Sequence, residues 1–160
     1  MKTPHALLAS GLLLAACGLR PTLPTLTPRS AEITSIATTG LGLRVHLLAN
    51  NPNAYGLTVQ SIRTRVTLAS HDLGESQVAT TFTLPSHRDV PLDTDVHVPW
   101  NDLPGILLAS ALNENVPYHL DGTVRVGGER IHLDVPFQMD STLPRSLLLN
   151  AVGNAVQGAH

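Results

Sequence analysis

The sequence predicts an all-β fold: an antiparallel β-sandwich of about seven strands with one short helix. Apolar and polar residues alternate with a period of two from Glu32 to Met139, which is the pattern of strands with one buried face. Turn-forming residues divide this region at the spacing of hairpins. Only the segment 101–115 replaces the alternation with a helical spacing.

The N-terminus is typical of a secretory signal. Lys2 supplies a short basic start, and residues 6–16 (ALLASGLLLAA) are apolar. That stretch is too short to span a bilayer about 30 Å thick, but it suits the apolar region of a signal peptide. The stretch LAAC, ending at Cys17, resembles a bacterial lipobox, where the cysteine is diacylated and the precursor is cut. We therefore expect residues 1–16 to be removed and Cys17 to carry a lipid; an incidental or buried thiol is the alternative.

The charge of the mature chain limits its partners. Without residues 1–16 it has nine arginines, no lysine and twelve carboxylates, so its formal charge is 9 − 12 = −3. No basic run occurs, which argues against nucleic acid as a partner and against docking on anionic lipid by charge. Membrane attachment is therefore expected through the acyl chains on Cys17. Because Cys17 is the only cysteine, no internal disulfide can form.

Residues 17–30 are expected to tether the domain to this anchor. Pro21, Pro24 and Pro28 lie in the segment, and prolines at this density favour an extended, semi-rigid chain. An ordinary disordered N-terminus would have much the same shape.

The strands show which side chains should face the core. The spacing between Val59 and Ile62 departs by one step from strict alternation, which indicates a β-bulge. Elsewhere the expected inward residues are Leu43, Val45, Leu47, Ala49, Val96 and Val98, and the expected outward residues are Arg44, His46, Asp95 and His97.

A hairpin is predicted near residue 127. Gly127 and Gly128 permit the positive φ values of a two-residue turn. Counting outward from this turn places almost every apolar side chain on one face, and a one-residue slip would turn that set to water. The predicted register pairs Val126 with Glu129, Val124 with Ile131, Gly122 with Leu133, Leu120 with Val135 and Tyr118 with Phe137.

One helix is expected in the stretch NDLPGILLASALNEN. Asp102 stands where a capping residue should, and Pro104 is tolerated in a first turn. The apolar stripe consists of Leu103, Ile106, Leu107 and Ala111.

The tail, residues 143–160, also has apolar residues at helical spacing. Its glycines favour a frayed or short helix, with docking on the sandwich or binding of a partner as alternatives.

An apolar run stops at the motif NNPN, residues 50–53, before a new strand begins. A residue before proline favours extended geometry, which applies to Asn51. Asparagine side chains bond to the backbone in turns. The motif is therefore expected to end one strand and redirect the chain into the next.

The order of these elements resembles the WHy domain (water stress and hypersensitive response), the folded, group 2 branch of the late embryogenesis abundant proteins, in a bacterial lipoprotein form. The resemblance covers roughly residues 30–142, and we expect the domain at 31–142. It is carried by NPN with an aromatic and a small residue after it, LTVQSIRTRVTL, HDLGES, VHVPW, the helix, PYHLDGTVRV and LDVPFQMDSTL.

The resemblance implies an immunoglobulin- or fibronectin III-like sandwich with a non-enzymatic role in tolerance of desiccation and related stress. Asn51, Pro52 and Asn53 match the family motif as a signature, not as a catalytic site. Bacterial relatives are often exported or lipid-anchored, which agrees with Cys17.

A metal site is the alternative to a purely structural role for the polar face of this hairpin. In the predicted register His119, Asp121, His132 and Asp134 share the polar face, and two histidines with two carboxylates could bind a divalent transition metal. Alternating polar residues on a solvent-facing strand produce such clusters by default. No metal and no other cofactor is therefore predicted.

Two functional hypotheses follow. No nucleophile with a base and an orienting group, and no glycine-rich phosphate loop, can be recognised, so an enzyme is not predicted. The first hypothesis is a lipid-anchored protein that protects envelope proteins or membranes during water loss, through weak, non-specific contacts with stress-labile clients. The second is an envelope adaptor lipoprotein that binds one protein through a sheet edge or the C-terminal tail. Both place the chain at the outer membrane or the outer face of the inner membrane.

Overall fold

The computed structural model describes residues 21–128 and 131–150. Residues 145–150 are helical, and within the described ranges no helix has the length and apolar character needed to cross a bilayer. The elements in chain order are β1 (Thr25–Ala37), β2 (Gly40–Asn51), β3 (Leu57–Leu68), β4 (His71–Leu84), β5 (Arg88–Pro99), α1 (Leu103–Ser110), β6 (Asn115–Gly127) and β7 (His132–Pro144).

The strands form two antiparallel sheets. One has the order β1-β2-β5 and the other β4-β3-β6-β7. The predicted all-β sandwich of seven strands, with one short helix between strands, is confirmed.

The two ends of the sandwich differ in how the chain connects. The β2–β3 and β4–β5 connections both pass from one sheet to the other, and they do so at one end, because Asn51 pairs with Arg88. The β6–β7 hairpin lies at that end too, since Gly127 pairs with Thr58. We call it the asparagine end. The other end carries α1 and Trp100, and we call it the Trp100 end.

The core is almost entirely aliphatic. Tyr118 and Phe137 are the buried aromatic residues in the described ranges, so the branched aliphatic side chains supply most of the burial, at about 25 cal/mol per Å² of apolar surface. The register of β3 shifts between Val59 and Ser61 against both of its neighbours, which confirms the predicted bulge. The inward residues predicted for β2 and β5 are all buried: Leu43, Val45, Leu47, Ala49, Val96 and Val98.

The predicted register of the β6–β7 hairpin is wrong, although its buried face is right. Val126 pairs with Leu133, not Glu129, and Tyr118 pairs with Ser141, not Phe137. Gly127 is still in the strand and the Gly128 N–H donates to the Ile131 carbonyl at 3.0 Å, so the connection is longer than two residues. The displacement is an even number of residues, and for that reason Val135 and Phe137 stay inward, whereas Ile131 precedes β7 and is exposed.

The helix begins as predicted, but its buried stripe is narrower. The Asp102 side chain caps α1 by accepting a hydrogen bond from the Gly105 N–H at 3.0 Å. Ile106 and Ser110 are its buried residues. Leu108 is exposed, and so is Leu112 just beyond the helix. Of the predicted stripe, Ala111 is the C-cap residue and is exposed, while Leu103 and Leu107 are half-buried.

Both boundaries of the folded region differ from the expected residues 31–142. β1 begins at Thr25 and contains Pro28, so residues 25–30 lie in the sandwich and not in the expected tether. The proline is tolerated because β1 is an edge strand whose register shifts between Pro28 and Ser30.

At the C-terminal boundary β7 runs to Pro144, and Leu148 in the helical segment is buried. Cys17 and the predicted signal peptide, residues 1–16, lie outside the described residues, as do the last ten residues of the tail.

Gly122 is required by its neighbour across the hairpin. A Cβ added at Gly122 would overlap the ring of Phe137, which is its pairing partner and is buried. We expect Gly122→Ala to lower the free energy of unfolding by about 1–3 kcal/mol because of overpacking, as measured by urea denaturation. Phe137→Leu in the same chain should restore part of the loss. An alanine variant as stable as the parent would contradict this packing.

Candidate functional site

The predicted motif residues form a buried network of side-chain amides at the asparagine end. Asn51, the last residue of β2, is fully buried. Its Nδ2 donates to the Tyr55 carbonyl at 2.8 Å and to the Leu84 carbonyl at 3.1 Å. Leu84 ends β4 in the opposite sheet, so one amide joins the two connections that pass between the sheets.

Asn53 completes the hydrogen bonding of Asn51. The Asn51 Oδ1 accepts from the Asn53 backbone N–H at 3.1 Å and from the Asn53 Nδ2 at 3.0 Å. Both donors of the Asn51 amide and both lone pairs of its oxygen are thereby used. Pro52 lies between them, half-buried. The motif is thus a structural device in which every buried amide group of Asn51 is paired, as burial demands.

Asn53 also holds the chain that enters the domain. Its Oδ1 accepts from the Thr22 N–H at 2.8 Å, and its Nδ2 donates to the Thr22 carbonyl at 2.8 Å. The side-chain amide therefore pairs with Thr22 as a neighbouring strand would. This contact could not be predicted from the sequence, since a partner 31 positions away leaves no local signal.

The four candidate metal ligands are not brought together as one group, although His119 and Asp121 contact each other. His132 contacts Gln60 through Nδ1 at 3.0 Å, Asp134 pairs with Arg125, and Asp121 accepts from Gln138 at 3.0 Å. The shifted hairpin register is the reason, because it sets Asp134 opposite Arg125 and Asp121 opposite Gln138. Within the described ranges no three histidine, cysteine, aspartate or glutamate side chains are grouped as metal ligands would be.

His119 instead lies between two carboxylates. Its Nδ1 is 2.6 Å from Asp140 Oδ1, and its Nε2 is 3.0 Å from Asp121 Oδ2. Hydrogen bonding to Asp140, with a further contribution from Asp121, raises the pKa of His119 above its ordinary value. The imidazolium form can donate to both carboxylates at once.

The outward faces carry cross-strand pairs of opposite charge. Arg44 binds Asp95 through two hydrogen bonds, at 2.8 and 3.2 Å, and Arg125 binds Asp134 in the same way, at 2.8 and 3.1 Å. Arg44 holds the pKa of Asp95 below its ordinary value, and Arg125 does so for Asp134. His46 Nδ1 and Asp93 Oδ1 are also in hydrogen-bond contact, at 2.7 Å. Each pair joins two neighbouring strands, and the pairs do not converge on one point.

The grooves of the described surface are open. One of about 370 Å³ spans the four-stranded sheet, and its charged side chains are paired, as with Arg63 and Glu75 at 3.6 Å. Serine, cysteine and histidine are not among the residues that line it. A second groove, of about 410 Å³, lies at the asparagine end between Pro21, Tyr55, Leu57 and Ile131.

The stability provided by the Asn51 network should be lost when a single atom of Asn51 is replaced. Asn51→Asp replaces the donor nitrogen by an oxygen facing two carbonyls, so we expect a loss of about 3 kcal/mol or more in the free energy of unfolding, measured in urea. The neighbouring Asn50 faces outward and bonds Asp89. Asn50→Ser is the matched control and should change stability by less than about 0.5 kcal/mol. Equal effects of the two substitutions would show that the network is not the source of stability.

The pair of carboxylates at His119 should make stability depend on pH. Because the pKa is raised in the folded chain, the contribution is complete below the ordinary value of 6.5 and is lost as pH rises through the higher folded value. His119→Gln should therefore destabilise the chain below pH 6.5 and have little effect well above it. The side chain is 35% exposed, so screening limits the difference to about 1 kcal/mol or less. Urea unfolding of both chains across this range tests it; a pH-independent difference would contradict it.

Comparison with curated protein sequences gives no significant match. Among solved structures, the chain is similar to a solution structure of an Arabidopsis thaliana protein, with a TM-score of 0.63 and 12% identity over 78% of this chain and 85% of that one. A crystal structure of an Archaeoglobus fulgidus protein gives a TM-score of 0.60 at 10% identity, over 74% of this chain and 97% of that one. These likenesses show the fold.

A third solved structure carries a functional name. The solution structure of a putative late embryogenesis abundant (LEA) protein has a TM-score of 0.55 and 16% identity, over 78% of this chain and 75% of that one. The family model described as late embryogenesis abundant protein matches residues 46–141. This range includes Asn51 and Asn53, the hairpin and the helix between them, and it is more than half of the sequence. The chain therefore belongs to the LEA_2 family of late embryogenesis abundant proteins.

Proposed function

We propose that this chain is a WHy-type, lipid-anchored protein of the bacterial cell envelope that protects envelope proteins or membranes during water loss, without catalysis. The observation that carries the proposal is the match to the late embryogenesis abundant family over residues 46–141. The lipobox-like stretch ending at Cys17 supports the anchor.

The outward faces support the protective role. Short polar side chains and paired charges cover β2 and β5, for example Asn50 with Asp89, His46 with Asp93 and Arg44 with Asp95. When water is withdrawn, such groups can replace its hydrogen bonds at the surface of a neighbouring protein or lipid headgroup. A client contacted in this way needs no pocket, and contacts that are individually weak keep partly unfolded chains apart.

The purified chain from Cys17 to His160 should preserve the activity of an unrelated test enzyme through drying. An equal mass of an inert folded protein is the control. Protection no better than this control would exclude the mechanism. In cells, deletion of the gene should lower survival after drying, and a Cys17→Ala strain separates anchoring from protection because its chain keeps the same exterior.

A second function, an adaptor for one specific envelope protein, is favoured by apolar side chains at the Trp100 end. Leu108 is 77% and Leu112 is 91% exposed, and Leu147 and Leu149 in the helical segment 145–150 are also exposed. Arg145 holds this segment beside α1 through the Ala111 carbonyl at 2.6 Å. Crosslinking in cells distinguishes the two functions, since an adaptor would recover one protein repeatedly and a protectant many.

A further inference from the structure

The asparagine end carries an apolar rim where the chain enters the domain. Tyr55 and Ile131, which line the groove of about 410 Å³, are 38% and 47% exposed, and Leu23 is 54% exposed. Leu23 lies between Thr22, which is bonded to Asn53, and Thr25, which pairs with Asn50. These three large apolar side chains are therefore partly exposed at the same end of the domain, and exposed apolar side chains concentrated in one region mark an interaction surface.

The length of chain preceding the domain limits what this rim can meet. Asn53 fixes Thr22 with two hydrogen bonds. Cys17 is five positions earlier, so even a fully extended chain places its Cα within about 18 Å of the Cα of the clamped residue. The sandwich is far longer than this, because strands of 12 residues span about 40 Å. A lipid on Cys17 would therefore keep the asparagine end close to the bilayer, whereas the Trp100 end can lie the length of a strand away from it.

The described charges near the rim do not oppose such contact. Arg88 and Asp89 begin β5 at this end, one charge of each sign. An aromatic ring with a hydroxyl, such as Tyr55, suits the boundary between headgroups and acyl chains. Three partly exposed side chains bury too little area to hold a protein on a membrane alone, so they act only together with an anchor.

We propose that the rim of Leu23, Tyr55 and Ile131 is a lipid-contacting surface that seats the asparagine end in the headgroup region of the bilayer to which the chain is anchored. This inference rests on the proposed anchor at Cys17. It adds an orientation: the groove and the Asn51 network face the membrane, and the leucines of the Trp100 end face the envelope space.

The experiment supplies the anchor chemically, so it does not depend on whether cells acylate Cys17. The chain from Cys17 to His160 is coupled through its only thiol to maleimide lipid in phosphatidylcholine vesicles, with or without bromine on the acyl chains. Trp100, the only tryptophan, reports the far end. Tyr55→Trp adds a reporter at the rim, and Leu112→Trp adds a matched exposed reporter at the Trp100 end.

Bromine should quench the reporter at position 55, with roughly a third or more of its emission lost if it lies at the interfacial depth of 5–10 Å. Emission of the parent and of Leu112→Trp should be unchanged. Adding Leu23→Ser and Ile131→Ser to the Tyr55→Trp chain should remove the quenching while coupling stays complete.

Three quenching results would overturn the proposal: no quenching at position 55, equal quenching of both reporters, or quenching that survives the two serines. Dimerisation of the uncoupled chain in sedimentation that is abolished by the same serines would assign the rim to a second copy and would also overturn it. Failure of the proposed anchor is a separate result, seen when Cys17→Ala leaves the distribution between membrane and soluble fractions unchanged in cells.

Discussion

The fold depends on closing the sandwich at the end where the chain passes twice between its sheets. Backbone groups in such crossings have no neighbouring strand to pair with, and burying them unpaired is costly. Asn51 solves this with one amide, which binds carbonyls of Tyr55 and Leu84 while its own oxygen accepts from Asn53. An asparagine is needed because aspartate has no donors and a backbone strand cannot reach both crossings. Asn51, the residue before Pro52, therefore fixes the two connections relative to each other.

The period-two alternation of apolar and polar residues explains how much of the fold could be predicted from the sequence. Alternation identifies the buried faces of β2 and β5 residue by residue, and it reveals the bulge after Val59. It cannot distinguish hairpin registers that differ by an even number of residues, since both bury the same face. The observed register is favoured by contacts that lie outside any local pattern: the Phe137 ring over Gly122 and the Arg125–Asp134 ion pair. The candidate metal cluster depended on the other register, and in the observed one its four residues are not grouped.

The residues of the site could be predicted from the sequence, but their contacts could not. The position of Asn51 before Pro52 indicated a strand end and a redirected chain. The partners of the network are mostly backbone groups of Thr22, Tyr55 and Leu84, and a backbone group carries no sequence signature. The same limit applies to residues 25–30. Three nearby prolines indicated a tether there, whereas an edge strand with a register shift accommodates Pro28 and lets Leu26 pack against the core.

Drying changes the balance of forces in a way that suits this exterior. In water an exposed pair such as Arg44 with Asp95 contributes little, because solvent screens it. As water leaves, the effective dielectric constant around the pair falls and the attraction between the charges increases. The hydrophobic contribution to the aliphatic core depends on water and weakens under the same conditions. A sandwich whose outward strands are joined by paired charges can therefore gain surface cohesion while its core loses hydrophobic stabilisation, and it can keep its shape among neighbours that do not.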